Sequence, residues 1–437
     1  MAERWDEARV LAQAPDASSQ RSARPLAAER SWLITGAAEP EALWGECKGS
    51  AAAPYRTAVD LTGPRYKCSC PSRKFPCKHA LALMLLWSAG RVEQGTPPDW
   101  AATWLQAGAA RTARDPAAEP ADPAAAQRRA EQREQRVLSG LDELDQWLRD
   151  QVRQGLATTP RSGYQHWDTI AARMVDAQAS GLAERLRGLA AVPYSGPGWE
   201  SRLLEEYALL RLLITAYRRR AELPAALTDT VRSRIGFTVR QADVLSAGEH
   251  VKDHWQVLAR RDLEQDRIRT RRTWLRGTLT SRYALLLSFA AGGESFDISL
   301  TVGSETDLEL AFYPGALPLR ALSVTAGAES SARPPAGGGI SDLLAGWARA
   351  LAADPWLEVW PAVLSGVIPA RIPAPSVTDE TGTALPLHPA LRDSWPLFAL
   401  SAGRPLTLAG EWTPRGLWPL TAWAPSDSGG QGRAVVL

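Results

Sequence analysis

Residues 68–79 read Cys68-Ser69-Cys70-Pro71-Ser72-Arg73-Lys74-Phe75-Pro76-Cys77-Lys78-His79. Three of the four cysteines in 437 residues fall inside this stretch. Core packing does not explain three thiols and an imidazole so close together in a cysteine-poor chain. The spacing, Cys-x-Cys, six residues, then Cys-x-His, offers four donors of the kind that tetrahedral zinc accepts. Such a set fills the shell and leaves no open position, which is the pattern of a structural Zn²⁺ site. The same donor types also suit an iron–sulfur cluster, but the Cys₃His cluster signature has a longer gap and Cys-x-x-x-His.

The flanks say how the four donors meet. Pro54–Leu61 alternates in the strand manner, Thr62-Gly63-Pro64 is a turn, and Arg65–Cys70 reads as a second strand. This hairpin brings Cys68 and Cys70. After Cys77, the run His79–Trp87 predicts a helix that stops at Gly90 and brings Cys77 and His79 at its start. The positive end of that helix favours thiolates. Lys67, Arg73, Lys74 and Lys78, with Arg65, surround the site, and no acid lies between Asp60 and Glu93. They form an expected surface for an acidic partner or for nucleic acid. Cys47 reads as a buried small hydrophobe, with a fifth or exchanging ligand as the other reading.

Outside this stretch the reading is coarser. A chain of 437 residues that is 45% hydrophobic and 22% charged is globular and divides into several domains. A net charge of +2 gives no support for nucleic-acid binding by bulk charge. The first residues carry acids and no signal-peptide core, and no run of about 18 apolar residues exists to span a bilayer. A cytoplasmic location is expected, where clustered thiols bind metal rather than form disulfides.

The expected fold class is α+β and multidomain. Residues 1–105 make an N-terminal domain holding the finger at about 55–90. Residues 106–130, rich in Ala, Pro, Arg and acids, read as a flexible linker. Residues 131–225 are helical, with apolar spacing over Val137–Gly155, Trp167–Leu189 and Glu200–Arg220. Residues 226–437 read as a β-rich α+β domain, with strands at His254–Arg261, Arg267–Arg276, Tyr283–Phe289, Phe296–Val302, Leu308–Tyr313, Leu406–Trp412 and Leu417–Trp423 and a helix at Ile340–Leu351. The arginine run 267–272 reads as a solvated strand face, and the tryptophans as packing residues. His250 and His254 have helical ligand spacing but lie in a strand pattern; His166 and His388 stand alone. No Gly-x-x-x-x-Gly-Lys-[Ser/Thr], nucleophile–base pair or paired-carboxylate constellation is present, so no enzyme is expected. An unrecognised site in residues 226–437 is the alternative.

The Cys68-x-Cys70, six residues, Cys77-x-His79 pattern, with a strand before it and an apolar helix after it, resembles the SWIM-type zinc finger. Residues 44–50, 54–55 and 70–81, with Leu141–Leu144 and Met174–Gln178 downstream, resemble a stand-alone bacterial group of SWIM proteins. That resemblance implies zinc held by Cys68, Cys70, Cys77 and His79, and binding of DNA or protein. It also implies a genomic association with MoxR-type AAA+ ATPases and von Willebrand factor A-type proteins, and therefore a protein partner.

Overall fold

The structure is a computed structural model. It describes residues 4–437 except 15–16, 39–41, 49–52, 62–64, 71, 73–75, 113–122, 157–158, 160–162, 266–267, 292–295, 297–299, 326, 372–373 and 425–431. The chain is α+β, with a finger region built on a sheet, a helical middle and a β-rich C-terminal part. No helix among the described residues is long and apolar enough to cross a membrane.

The N-terminal part is layered around one helix. Strands β1 (Trp32–Ala38), β2 (Ala42–Cys47), β3 (Tyr55–Asp60) and β4 (Arg65–Cys68) form an antiparallel meander. Helices α1 (Glu7–Ala12) and α2 (Ala17–Ala23) lie on the far side of α3 (Lys78–Ser88) from the sheet. All nine residues His79–Trp87 are buried, because α3 is packed on both sides; a helix apolar all round has no other stable place in water. Strand alternation divides the sheet's side chains. Leu43, Cys47 and Val59 join the core around α3, while Trp44 and Ala58 pack against Ala101 of α4 (Asp99–Thr112) on the opposite face. Residues 43–47 are thus a strand packed on both faces. A strand buried on both faces does not alternate in sequence. Residues 24–26 and 29–31 form two single 3-10 turns.

The segment 106–130 contains the end of α4 up to Thr112 and the start of α5 (Pro123–Gln154). Alanine-rich composition favours helix as readily as coil. The middle of the chain continues with α6 (Gly163–Asp176), α7 (Ser180–Leu189), α8 (Trp199–Arg218), α9 (Ala225–Ile235) and α10 (Gln241–Ala247). Helicity therefore runs past the boundary expected at residue 225. The helix expected at 167–189 is two helices. Gln178 takes a positive φ of 61° between them, and a Cβ on Gly181 would sit 2.4 Å from the Arg234 carbonyl of α9. The apolar positions Met174, Leu182 and Leu186 keep helical phase across the break, so periodicity alone conceals it.

The bundle's ionic centre is Glu134 of α5. Its carboxylate accepts hydrogen bonds from Tyr217 Oη, from Arg232 Nη1 at 2.5 Å and from Arg220 Nη2 at 3.1 Å. Burial alone would raise this carboxyl's pKa, but the tyrosine and the two guanidiniums outweigh it and hold it below the usual range. A group depressed on folding contributes stability above its unfolded pKa and loses it as pH falls through the folded value. The Glu134→Gln variant is therefore expected to lose roughly 1.5–3 kcal/mol at pH 7. Its deficit relative to wild type should shrink below about pH 4. Urea titrations at pH 7 and pH 3.5 check both statements; a constant deficit contradicts the second.

The C-terminal part holds two sheets. In the first, β5 (Glu249–Gln265), β6 (Ile268–Gly277) and β7 (Tyr283–Ala291) pair in order, and β8 (Ser304–Phe312) flanks β5. Strand β9 (Arg320–Ser323) pairs with both β7 and β8, which closes the sheet on itself; β10 (Glu329–Ser331) adds to β8. Trp255, Val257, Leu275, Leu286, Leu310 and Phe312 fill the interior. In the second sheet the order is β13 (Ala384–Pro386), β12 (Ser376–Thr378), β11 (Trp360–Ala370), β14 (Leu406–Thr413), β15 (Gly416–Trp423) and β16 (Ala434–Val436). Helices α11 (Ile340–Ala353) and α12 (Trp395–Ser401) pack against β11. Among the described residues of 296–302, none is in a strand.

A bulge between Val257 and Ala259 turns β5, so that Leu258, Ala259 and Trp274 face Val363, Ala409 and Leu420 of the second sheet. The arginine run is not a solvated face. Arg271 is bound in bidentate fashion by Asp262 at 2.8 and 2.7 Å, and Arg272 meets Glu411 at 3.0 Å on the opposite face of β6. The acids that bury these guanidiniums come from other strands and cannot be seen from the run itself. Trp356 fastens the bundle to the C-terminal part: it is buried in the bundle core and donates Nε1–H to Leu209 O at 2.9 Å.

Candidate metal centre

Strand β4 is an edge strand paired only with β3, in the register Thr57↔Cys68 and Val59↔Tyr66. This places Cys68 over the start of α3. Cys77 is the N-cap of α3, in extended conformation, and makes no side-chain cap bond, so its thiol is left for another task. His79 sits in the first turn. The four donor atoms of Cys68, Cys70, Cys77 and His79 lie within 4.8 Å of one another. His79 Nδ1 is 3.7 Å from Cys68 Sγ and 4.0 Å from Cys77 Sγ. Zinc bonds of about 2.3 Å to sulfur and 2.0–2.1 Å to nitrogen set a tetrahedral S···N edge of about 3.6 Å, so the donors fit the ion. Among the described residues no other group of three or more His, Cys, Asp or Glu is gathered in this way.

The electrostatics point the same way. Hydrogen bonds from Cys68 and Cys77 hold the Cys70 thiol far below its ordinary pKa. The hydrogen bond to Cys70 pushes Cys68 up to about 11, and those to Cys68 and Cys70 push Cys77 well above the thiol range. Thiolates this close repel one another, and a cation in the middle would relieve that repulsion. Thr57 Oγ1 lies 3.2 Å from Cys68 Sγ, and the Tyr55 ring lies 4.9 Å from the His79 ring, so both donors are held by β3. Zinc bound here would act as a Lewis acid with its shell filled by protein, a cross-link rather than a reagent.

Cys47 is fully buried in the core around α3, and its Sγ lies 3.6 Å from Lys48 O; it is not among the four clustered donors. Of the basic residues around the site, Arg73 and Lys74 lie outside the described residues. Lys67 and Lys78 are exposed. Lys67 falls on the opposite face of β4 from Cys68, because neighbours in a strand alternate. Arg65 is bound to Asp60, which folds back across the hairpin, so its charge is neutralised. The sequence gap between Asp60 and Glu93 hides this pairing. Other histidines are accounted for without metal. His250 and His254 face Glu309 at 2.7 Å and Asp307 at 3.3 Å across β5–β8. His166 meets Gln151, and the His388 ring lies tilted against that of Trp418, centroids 4.8 Å apart.

The finger does not stand free of the rest. Gln13 Nε2 lies 3.4 Å from Thr301 Oγ1, and Gln13 Oε1 lies 3.3 Å from Tyr66 Oη on β4. Burial chiefly raises the Tyr66 phenol, and the nearby Arg271 and Arg260 of the closed sheet act in the opposite sense. No sequence signal marks this contact, which joins residues hundreds of positions apart.

Residues 55–87 match the SWIM zinc finger family, and residues 132–235 match the SWIM-associated four-helix bundle domain. The first match spans the hairpin, the four donors and α3; the second spans α5 to α9. No curated protein and no solved structure matches the chain.

Proposed function

We propose that this SWIM-type zinc finger protein is a non-catalytic interaction protein whose finger, locked by one structural zinc, docks a protein partner. The observation that carries the reading is the closed Cys₃His set at the seam of hairpin and helix: it offers the ion four protein donors and no open position for substrate. The zinc ties an edge strand to the start of α3. Lys78 and the half-buried Cys68–Cys70 rim then form a rigid, weakly basic surface suited to an acidic face. A net charge of +2 and the neutralised Arg65 favour protein over a phosphate backbone.

Purified protein is expected to hold about one equivalent of zinc, and Cys70→Ser to hold little. Affinity purification from the protein's own cells should recover a partner protein with wild type and lose it with Cys70→Ser and with Lys78→Glu. Recovery of DNA or RNA in place of protein, released steeply by salt, would replace this reading with nucleic-acid binding.

A further inference from the structure

A groove of about 280 Å³ runs between α5 and α8, on the helical bundle. Its sides are built at helical spacing by Leu148 and Val152 of α5 and by Leu204 and Ala208 of α8. Val152 is 53% exposed and Leu204 50% exposed, so two large apolar side chains face water side by side. Tyr207 lies at the floor. It is 97% buried, being 3% exposed, and among the described residues its hydroxyl has no hydrogen-bond partner. Trp147 and Trp167, with ring centroids 5.9 and 6.2 Å from that of Tyr207, hold the phenol in place.

The rim is charged with one sign. Of the residues lining the groove, Arg149, Arg153 and Arg211 are basic and none is acidic. Asp145, buried behind them, is shared by Arg149 at 2.8 Å, Arg218 at 3.3 Å and Arg211 at 3.5 Å. Arg153 reaches Asp150 at 3.6 Å and is 72% exposed. Arg218 also holds Asp142 at 2.6 Å, so the loosely paired guanidiniums are those of Arg211 and Arg153, and a carboxylate from outside would complete them.

We propose that this groove docks an acidic amphipathic helix of a partner protein. The trough between two packed helices accepts a third helix by ridge-into-groove packing. Its apolar stripe covers Val152 and Leu204, and its flanking Asp or Glu meets the arginine rim. The site is separate from the zinc finger and does not depend on the reading given to it.

The test is selection of a phage-displayed library of 16-residue peptides on the full-length, zinc-loaded protein, followed by polarisation binding of a labelled winner. The expected winners carry apolar residues three and four apart with acidic flanks. Their affinity should fall roughly ten-fold or more in Val152→Glu and in Arg153→Glu, both at exposed positions. Lys78→Glu should change nothing. Failure of any peptide to enrich, winners without acidic bias, or an affinity untouched by Val152→Glu would overturn the proposal. Loss of binding to Lys78→Glu would also overturn it by placing the peptide on the finger.

Discussion

Cys77→Ser, or removal of zinc by a strong chelator, is expected to open β4 and the first turn of α3 while the helical bundle stays folded. Strand β4 has one neighbour and four residues, so its backbone pairing is weak without a second anchor. The second anchor would be a metal held by the four clustered donors. Structural zinc in isolated fingers supplies about 10–16 kcal/mol, all of it coupled to folding. Here α3 also has an apolar core on both sides, so the loss should be smaller than that range and concentrated at the site. Hydrogen exchange over 65–70 and 77–81 should accelerate by roughly a hundred-fold or more, equivalent to about 3 kcal/mol. Exchange over 83–87 should change less, and exchange over 137–235 should not change. Acid should act in the same direction, since zinc leaves as its thiolates take up protons on lowering the pH. If 65–70 and 77–81 keep their protection after the metal has gone, the apolar core alone holds hairpin to helix.

The second large effect belongs to Glu411. It is fully buried between the two C-terminal sheets and accepts from Arg261 at 2.7 Å and from Trp274 Nε1 at 2.9 Å, with Arg272 at 3.0 Å. Arg261 also lies 3.7 Å over the Trp418 ring. Burial chiefly lowers the Arg272 pKa, and Glu411 opposes that effect. Glu411→Ala leaves two guanidiniums and an indole N–H without their acceptor, so about 3–5 kcal/mol of stability should be lost. A triple variant, Glu411→Leu with Arg261→Met and Arg272→Met, removes all the charges together. It should recover most of that loss, because desolvation is the main cost of a buried ionic cluster. Denaturant unfolding followed by tryptophan fluorescence distinguishes the two. A single variant within about 1 kcal/mol of wild type would mean that water reaches the cluster.

The clustering of Cys68, Cys70, Cys77 and His79 was legible because its signal is local. Four ligand residues in twelve positions, a hairpin before and an apolar helix after, need no long-range contact to be recognised. The bundle was legible as periodicity, except where Gln178 and Gly181 break a helix without disturbing its phase. The C-terminal part was legible as alternation in β5 to β8. Strand β2 of the N-terminal sheet and β11 of the second C-terminal sheet were obscure, because strands buried on more than one side lose the period-two pattern. The basic surface read from Lys67, Arg65 and Lys78 fared differently. Side-chain alternation puts Lys67 on the other face of β4, and Asp60 takes Arg65.

The sequence by itself marked the four donors that cluster, the apolar helix that follows them, and the order of finger region, helical middle and β-rich part. Each rests on interactions between near neighbours, or on a pattern that one element carries whole. Only the tertiary structure decided which charges are free. Arg271 and Arg272 look alike in the chain and are bound to different acids on opposite faces of one strand. Arg65 is neutralised across its own hairpin, and the Tyr207 hydroxyl, on the floor of a groove, has no partner among the described residues. Whether a charge or a hydroxyl is satisfied depends on partners from distant segments, and that dependence is set by packing rather than by the order of residues.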